Sequence, residues 1–131
     1  MKSKENIDKV IYPKLSYRLV GILYDVWNKI GWSHKEKYIE NAVAVALKNE
    51  GITFKEQAKV ELKYQEEKIG VYYLDFIVDD RIVLELKRRD YFSQHDIQQI
   101  LAYLKSTGLK LGILAHFTKN GVRTKRILNT Y

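Results

Sequence analysis

Two neighbouring segments constrain this chain more than any other part of it. Residues 71–78 (VYYLDFIV) and 81–87 (RIVLELK) are rich enough in β-branched and aromatic side chains to be buried strands. Asp75 interrupts the first, and Glu85 with Lys87 interrupts the second. An ionised carboxylate in a core strand is costly unless it is paired or bound to a cation, so these charges mark either a structural ion-pair cluster or a reactive site. Glu85 and Lys87 are two positions apart and leave their strand on one face, while Ile82, Leu84 and Leu86 leave on the other.

Asp75 joins Glu85 only if the turn between the segments has the right parity. A two-residue loop at Asp79 and Asp80 would oppose Asp75 to Leu84 and send Glu85 to the far face. A three-residue loop from Asp79 to Arg81, or a bulge that shifts the register by one, would oppose Asp75 to Glu85. A shared site requires the shifted register.

The surrounding pattern frames these strands. After Pro13, a helix-start residue, Leu15, Leu19, Ile22, Leu23, Val26 and Ile30 recur at helical spacing up to Gly31. A second helix is expected from Ser33, with Glu36 completing a capping box and Ile39, Ala42, Val43, Ala46 and Leu47 on one side, to Gly51. Alternation at Ala58, Val60, Leu62 and Tyr64 predicts a strand, and Gln65 to Lys68 a turn. Ile97, Ile100, Leu101 and Leu104 predict a helix from about Ser93 to Thr107; Leu109 to Phe117 reads as a buried strand, and the basic tail from Val122 as one more. The order α-α-β-β-β-α-β-β describes an α/β fold, a mixed sheet flanked by helices.

With 131 residues, one proline and scattered glycines, the chain reads as a single domain over 1–131, with a polar segment at 1–12. No apolar run reaches the roughly 18 residues of a membrane helix, and the lysine-rich start does not resemble a secretory signal, so a cytoplasmic location is expected. Without cysteine, disulfides and thiolate-ligated zinc are excluded. Three scattered histidines, His34, His95 and His116, argue against a histidine-based zinc site, so any metal is expected on carboxylates. The histidines read as surface or packing residues, and Trp27 and Trp32 as core and helix-end packing. A net charge of +7 favours a polyanionic partner.

LDFIVDDRIVLELK resembles the Asp strand, turn and Glu-x-Lys strand of the PD-(D/E)XK nuclease superfamily, with Leu74 where the name-giving proline stands. GWSHKEKYIENA is similar to the signature helix of the small GxxExxY proteins within it, with Glu36 in the glutamate position, Ser33 for its glycine and Ile39 for its tyrosine. Glu40, one turn later, also matches a glutamate common in these proteins, and either could be the helix carboxylate of a site. Gln99 and Tyr103 fit a Gln-x-x-x-Tyr motif of several nuclease branches and share a helix face.

The resemblance implies a restriction-endonuclease-like fold and a metal-dependent nuclease, acting on DNA more than RNA. Mg2+ or Mn2+ would be held by Asp75, Glu85, the Leu86 carbonyl and Glu36, with Lys87 offsetting charge at the phosphate. Gln99 and Tyr103 would position phosphate or water. Arg88, Arg89, Lys119, Arg123, Lys125 and Arg126 could line a phosphate-binding surface. One centre cuts one strand, so a homodimer would suit a duplex. The competing expectation is a non-catalytic nucleic-acid-binding or assembly module that keeps the fold.

Overall fold

The structure, a computed structural model, describes residues 11–130; most of the polar segment read at 1–12 lies outside them. Helix α1 (Pro13–Ile30) begins on proline and ends at Gly31, whose φ of 78° is one that glycine adopts without strain. Its stripe of Leu19, Ile22, Leu23 and Val26 is buried.

Helix α2 (Glu36–Asn49) starts later than the capping-box signature predicts: Lys35, not Ser33, precedes it, and no side chain caps it. The reason is long-range. The Arg88 guanidinium donates to the Ser33 and His34 carbonyls at 3.2 and 2.8 Å, and the Glu36 side chain accepts from the Arg88 backbone N–H at 3.0 Å. The segment is held as a loop against the end of a distant strand.

A long antiparallel hairpin follows, β1 (Phe54–Tyr64) and β2 (Glu67–Val78). Its turn takes only Gln65 and Glu66, both at positive φ, whereas the polar run had suggested one reaching Lys68. Then come β3 (Ile82–Lys87), α3 (Gln94–Thr107), β4 (Leu111–Thr118) and β5 (Gly121–Leu128). Ser93 caps α3 by accepting from the His95 N–H, and Gly108 ends it at φ 77°.

The five strands lie in the order β1-β2-β3-β4-β5, with β3 and β4 parallel and the other neighbours antiparallel. This mixed sheet, flanked by three helices, is a restriction-endonuclease-like α/β fold in the element order read from the sequence. Helices α1 and α2 cover one face over Phe76, Val78, Leu84, Leu86, Ile113 and Phe117. Helix α3 covers the other over Ile77, Val83, Leu114 and Ile127. It lies so close to β4 that a Cβ on Gly112 would collide with the Ile100 side chain.

The hairpin changes sides along its length. Phe54, Phe76 and Val78 belong to the α1–α2 core, yet Ala58, Val60, Tyr72 and Leu74 pack towards α3. The even-numbered positions therefore face opposite ways on either side of a short stretch around Gln57 and Asp75. The β2–β3 ladder is equally short, three pairs from Val78↔Ile82 to Phe76↔Leu84, after which the strands diverge as a fork.

Candidate active site

The register of that ladder comes from a three-residue loop, Asp79 to Arg81, and, carried one pair beyond Phe76↔Leu84, would set Asp75 against Glu85. Asp79 and Asp80 both adopt left-handed φ, near 53° and 54°, and the Arg81 N–H closes the turn onto the Val78 carbonyl at 2.9 Å. Aspartate tolerates this conformation better than most residues, which is the local reason the loop can form.

Where the ladder stops, side chains replace it. The Asp75 backbone N–H donates to Glu85 Oε1 at 2.9 Å, and the Leu86 N–H donates to Asp75 Oδ2 at 2.8 Å. Lys87 reaches back to Glu85, its Nζ 3.8 Å from Oε2. Glu85 is only 4% exposed. Burial, then the neighbouring Asp75 charge, pushes its carboxyl up to about 9. Burial likewise raises Asp75, against the pull of the Leu86 N–H. One ammonium does not compensate two adjacent acids, Glu85 buried and Asp75 half-buried.

Of the two helix glutamates, the buried one is Glu40, 5% exposed, and its charge contributes to the upward shift of Asp75. Its Oε1 accepts from the Gln57 side-chain amide at 2.8 Å and lies 3.7 Å from Lys37 Nζ. Glu36 is exposed and committed to the Arg88 N–H, so it secures the end of β3.

Gln99 and Tyr103 lie elsewhere on α3. The Gln99 amide pairs with His95 at 3.0 Å along its own helix, while its backbone carbonyl accepts from the Tyr72 hydroxyl at 3.0 Å. Tyr103 packs in the α3-side core, and its hydroxyl, raised first by burial, feels Lys55 and Asp80 near the β2–β3 turn.

The candidate phosphate-binding cations divide similarly. Arg88 braces the α1–α2 loop, Arg89 lies 3.2 Å from the buried Asp96, and Arg123 donates to the Asp90 carbonyl and covers Phe92. Arg126 donates to Ser16 and to the Ile11 carbonyl, on the α1 side of the sheet. Lys119 and Lys125 are exposed. Beside Lys87 in the β3–β4 register sits His116, fully buried against Phe92 and lowered in pKa by that burial.

The sequence profile of the PD-(D/E)XK nuclease superfamily matches residues 13–127. The chain belongs to this superfamily. Its members are generally nucleases and typically use divalent metals. The solved structure of SSO0001 shares the fold at 20% identity and a TM-score of 0.54, over 95% of this chain and 63% of that one. This PD-(D/E)XK chain thus spans less than two thirds of the length of SSO0001. No curated protein matches the sequence significantly. None of the helices among the described residues is long and apolar enough to cross a membrane.

Proposed function

We propose that this protein is a divalent-cation-dependent nuclease that hydrolyses phosphodiester bonds at the β2–β3 fork, with DNA as the first substrate to test. The observation that carries the reading is the Asp75–Glu85 pair: one half-buried and one buried acid, tied to each other's strands, with one ammonium beside Glu85. A hard divalent cation would relieve that unfavourable charge, and the oxygen donors suit Mg2+ or Mn2+. Asp75 and Glu85 would hold it, with the Leu86 carbonyl beside them. Among the described residues no three acidic or histidine side chains are grouped as a complete ligand set. Solvent and phosphate oxygens would fill the remaining positions, as Mg2+ sites commonly require.

When bound, the cation supplies positive charge to polarise the phosphate and to acidify water. The chain's own residues do the rest. Lys87, only partly exposed beside Glu85, offsets negative charge as the water oxygen bonds to phosphorus and the ester oxygen departs. Glu40, buried where Glu36 is exposed, would be the helix carboxylate that accepts a hydrogen bond from water at the fork. Arg88 and Arg89 hold the loops that frame Lys87, leaving Lys119 and Lys125 as exposed cations for the nucleic-acid backbone. Gln99 and Tyr103 would touch substrate only at the margin of such a site.

A non-catalytic binding module would draw no benefit from two destabilised acids beside a lysine. The deciding experiment incubates single-stranded, double-stranded and branched DNA, and RNA, with Mg2+ or Mn2+. Wild type should cleave at least one substrate and Lys87→Ala none. Equal activity in both would refute the reading.

A further inference from the structure

Gln57 occupies the point at which the hairpin changes sides. Glu56↔Phe76 and Ala58↔Leu74 are paired, but between them Gln57 and Asp75 are not, and Gln57 has a φ of 56°. A left-handed conformation is strained for a residue with a Cβ, and glycine or asparagine would satisfy the same kink with less strain. The Gln57 side chain runs to one place: its amide donates to Oε1 of the buried Glu40 at 2.8 Å.

We infer that Gln57 is a positioning residue, whose amide, presented by the kink in β1, fixes the Glu40 carboxylate towards the Asp75–Glu85 fork. This rests on the proposed cation site, and deepens it by bringing a third strand into its construction. The alternative anchor for Glu40 is weak. Lys37 lies 3.7 Å from the same oxygen, but its own side chain is largely exposed. Without the amide, Glu40 is left to that solvated ammonium and can turn outward. The kink and the hydrogen bond fall on one residue: Gln57 carries both the left-handed backbone and the amide that meets Glu40.

The test compares Gln57→Gly, which keeps the left-handed backbone and deletes the amide, with Gln57→Asn, which tolerates the same backbone but is too short, and with Glu40→Gln. Titration calorimetry with Mn2+ and cleavage kinetics are read on each. Both Gln57 variants should unfold at or above the wild-type temperature, bind Mn2+ about 10-fold more weakly, and lower kcat with little change in KM. Adding Glu40→Gln to Gln57→Gly should bring no further loss. Wild-type Mn2+ affinity and kcat in folded Gln57→Gly and Gln57→Asn, with both lost in Glu40→Gln, would overturn the role of Gln57 and leave the cation site standing. Wild-type Mn2+ binding in Asp75→Asn as well as Glu40→Gln would overturn the site and the inference together.

Discussion

Asp75 and Glu85 are each bound to the other's strand: the Asp75 N–H meets the Glu85 carboxylate at 2.9 Å, while the Asp75 carboxylate receives the N–H of the residue after Glu85 at 2.8 Å. The acids thus serve as the last rungs of the β2–β3 pairing as well as candidate cation ligands.

Their shared charge sets a pH dependence. Both carboxyls are raised in the folded state, Glu85 to about 9 from an ordinary 4.5. The folded protein therefore holds protons that the unfolded chain has released. This contribution to stability is fully present below the ordinary carboxylate range and is lost as pH rises towards about 9. Urea midpoints of the metal-free protein should fall across that window more steeply for wild type than for Glu85→Gln. Mn2+ binding must expel the same protons, so its affinity should climb with pH and calorimetry should record proton release. Parallel stability profiles in the two proteins would count against the coupled pair.

Gly112 should tolerate no side chain. Gly112→Ala drives a Cβ into Ile100, whose own side chain is fully buried, and should cost about 1–3 kcal/mol. Combined with Ile100→Leu, which removes the branch at Cβ, the loss in urea denaturation should be smaller than the sum of the two single changes.

Glu66 offers the opposite effect. It is exposed, sits at the tip of the hairpin and holds a φ of 70°. Glu66→Gly should relieve a left-handed residue and stabilise by about 1 kcal/mol, with Mn2+ affinity unchanged. A lower thermal midpoint would contradict this.

The surface cations should separate by role. Lys119→Ala and Lys125→Ala should each lower the salt dependence of DNA binding by about 0.9 in log–log slope. Arg89→Met should act mainly on stability, by about 2 kcal/mol, because it strands the buried Asp96. Binding at graded salt and urea melts of the three variants check this division.

Much of the fold is legible in the sequence because long stretches obey one period. The α1 and α3 stripes each point to one packing face, and the β4 run to a strand buried on both. The register at Asp75 could be posed as a question of parity, yet the loop length depends on how two aspartates share left-handed turns. Glu36 is harder. A serine three residues earlier mimics a helix start, and only Arg88, distant in sequence, converts that segment into a loop. The side switch is hidden for a different reason: Ala58, Val60, Leu74, Phe76 and Val78 keep one parity through it, so nothing in the alternation betrays the twist at Gln57. The cations read as one basic surface are divided by partners that no local pattern reveals.

The exchanged hydrogen bonds at the fork also bear on the choice of inactive controls. Truncating Asp75 leaves the Leu86 N–H without its acceptor, and truncating Glu85 does the same to the Asp75 N–H. Either alanine variant loosens the strand junction as well as removing an acid, so a silent assay with it would mix lost chemistry with a softened scaffold. Lys87 anchors no backbone group in this way. A catalytic knock-out intended for trapping a bound nucleic acid is best made there.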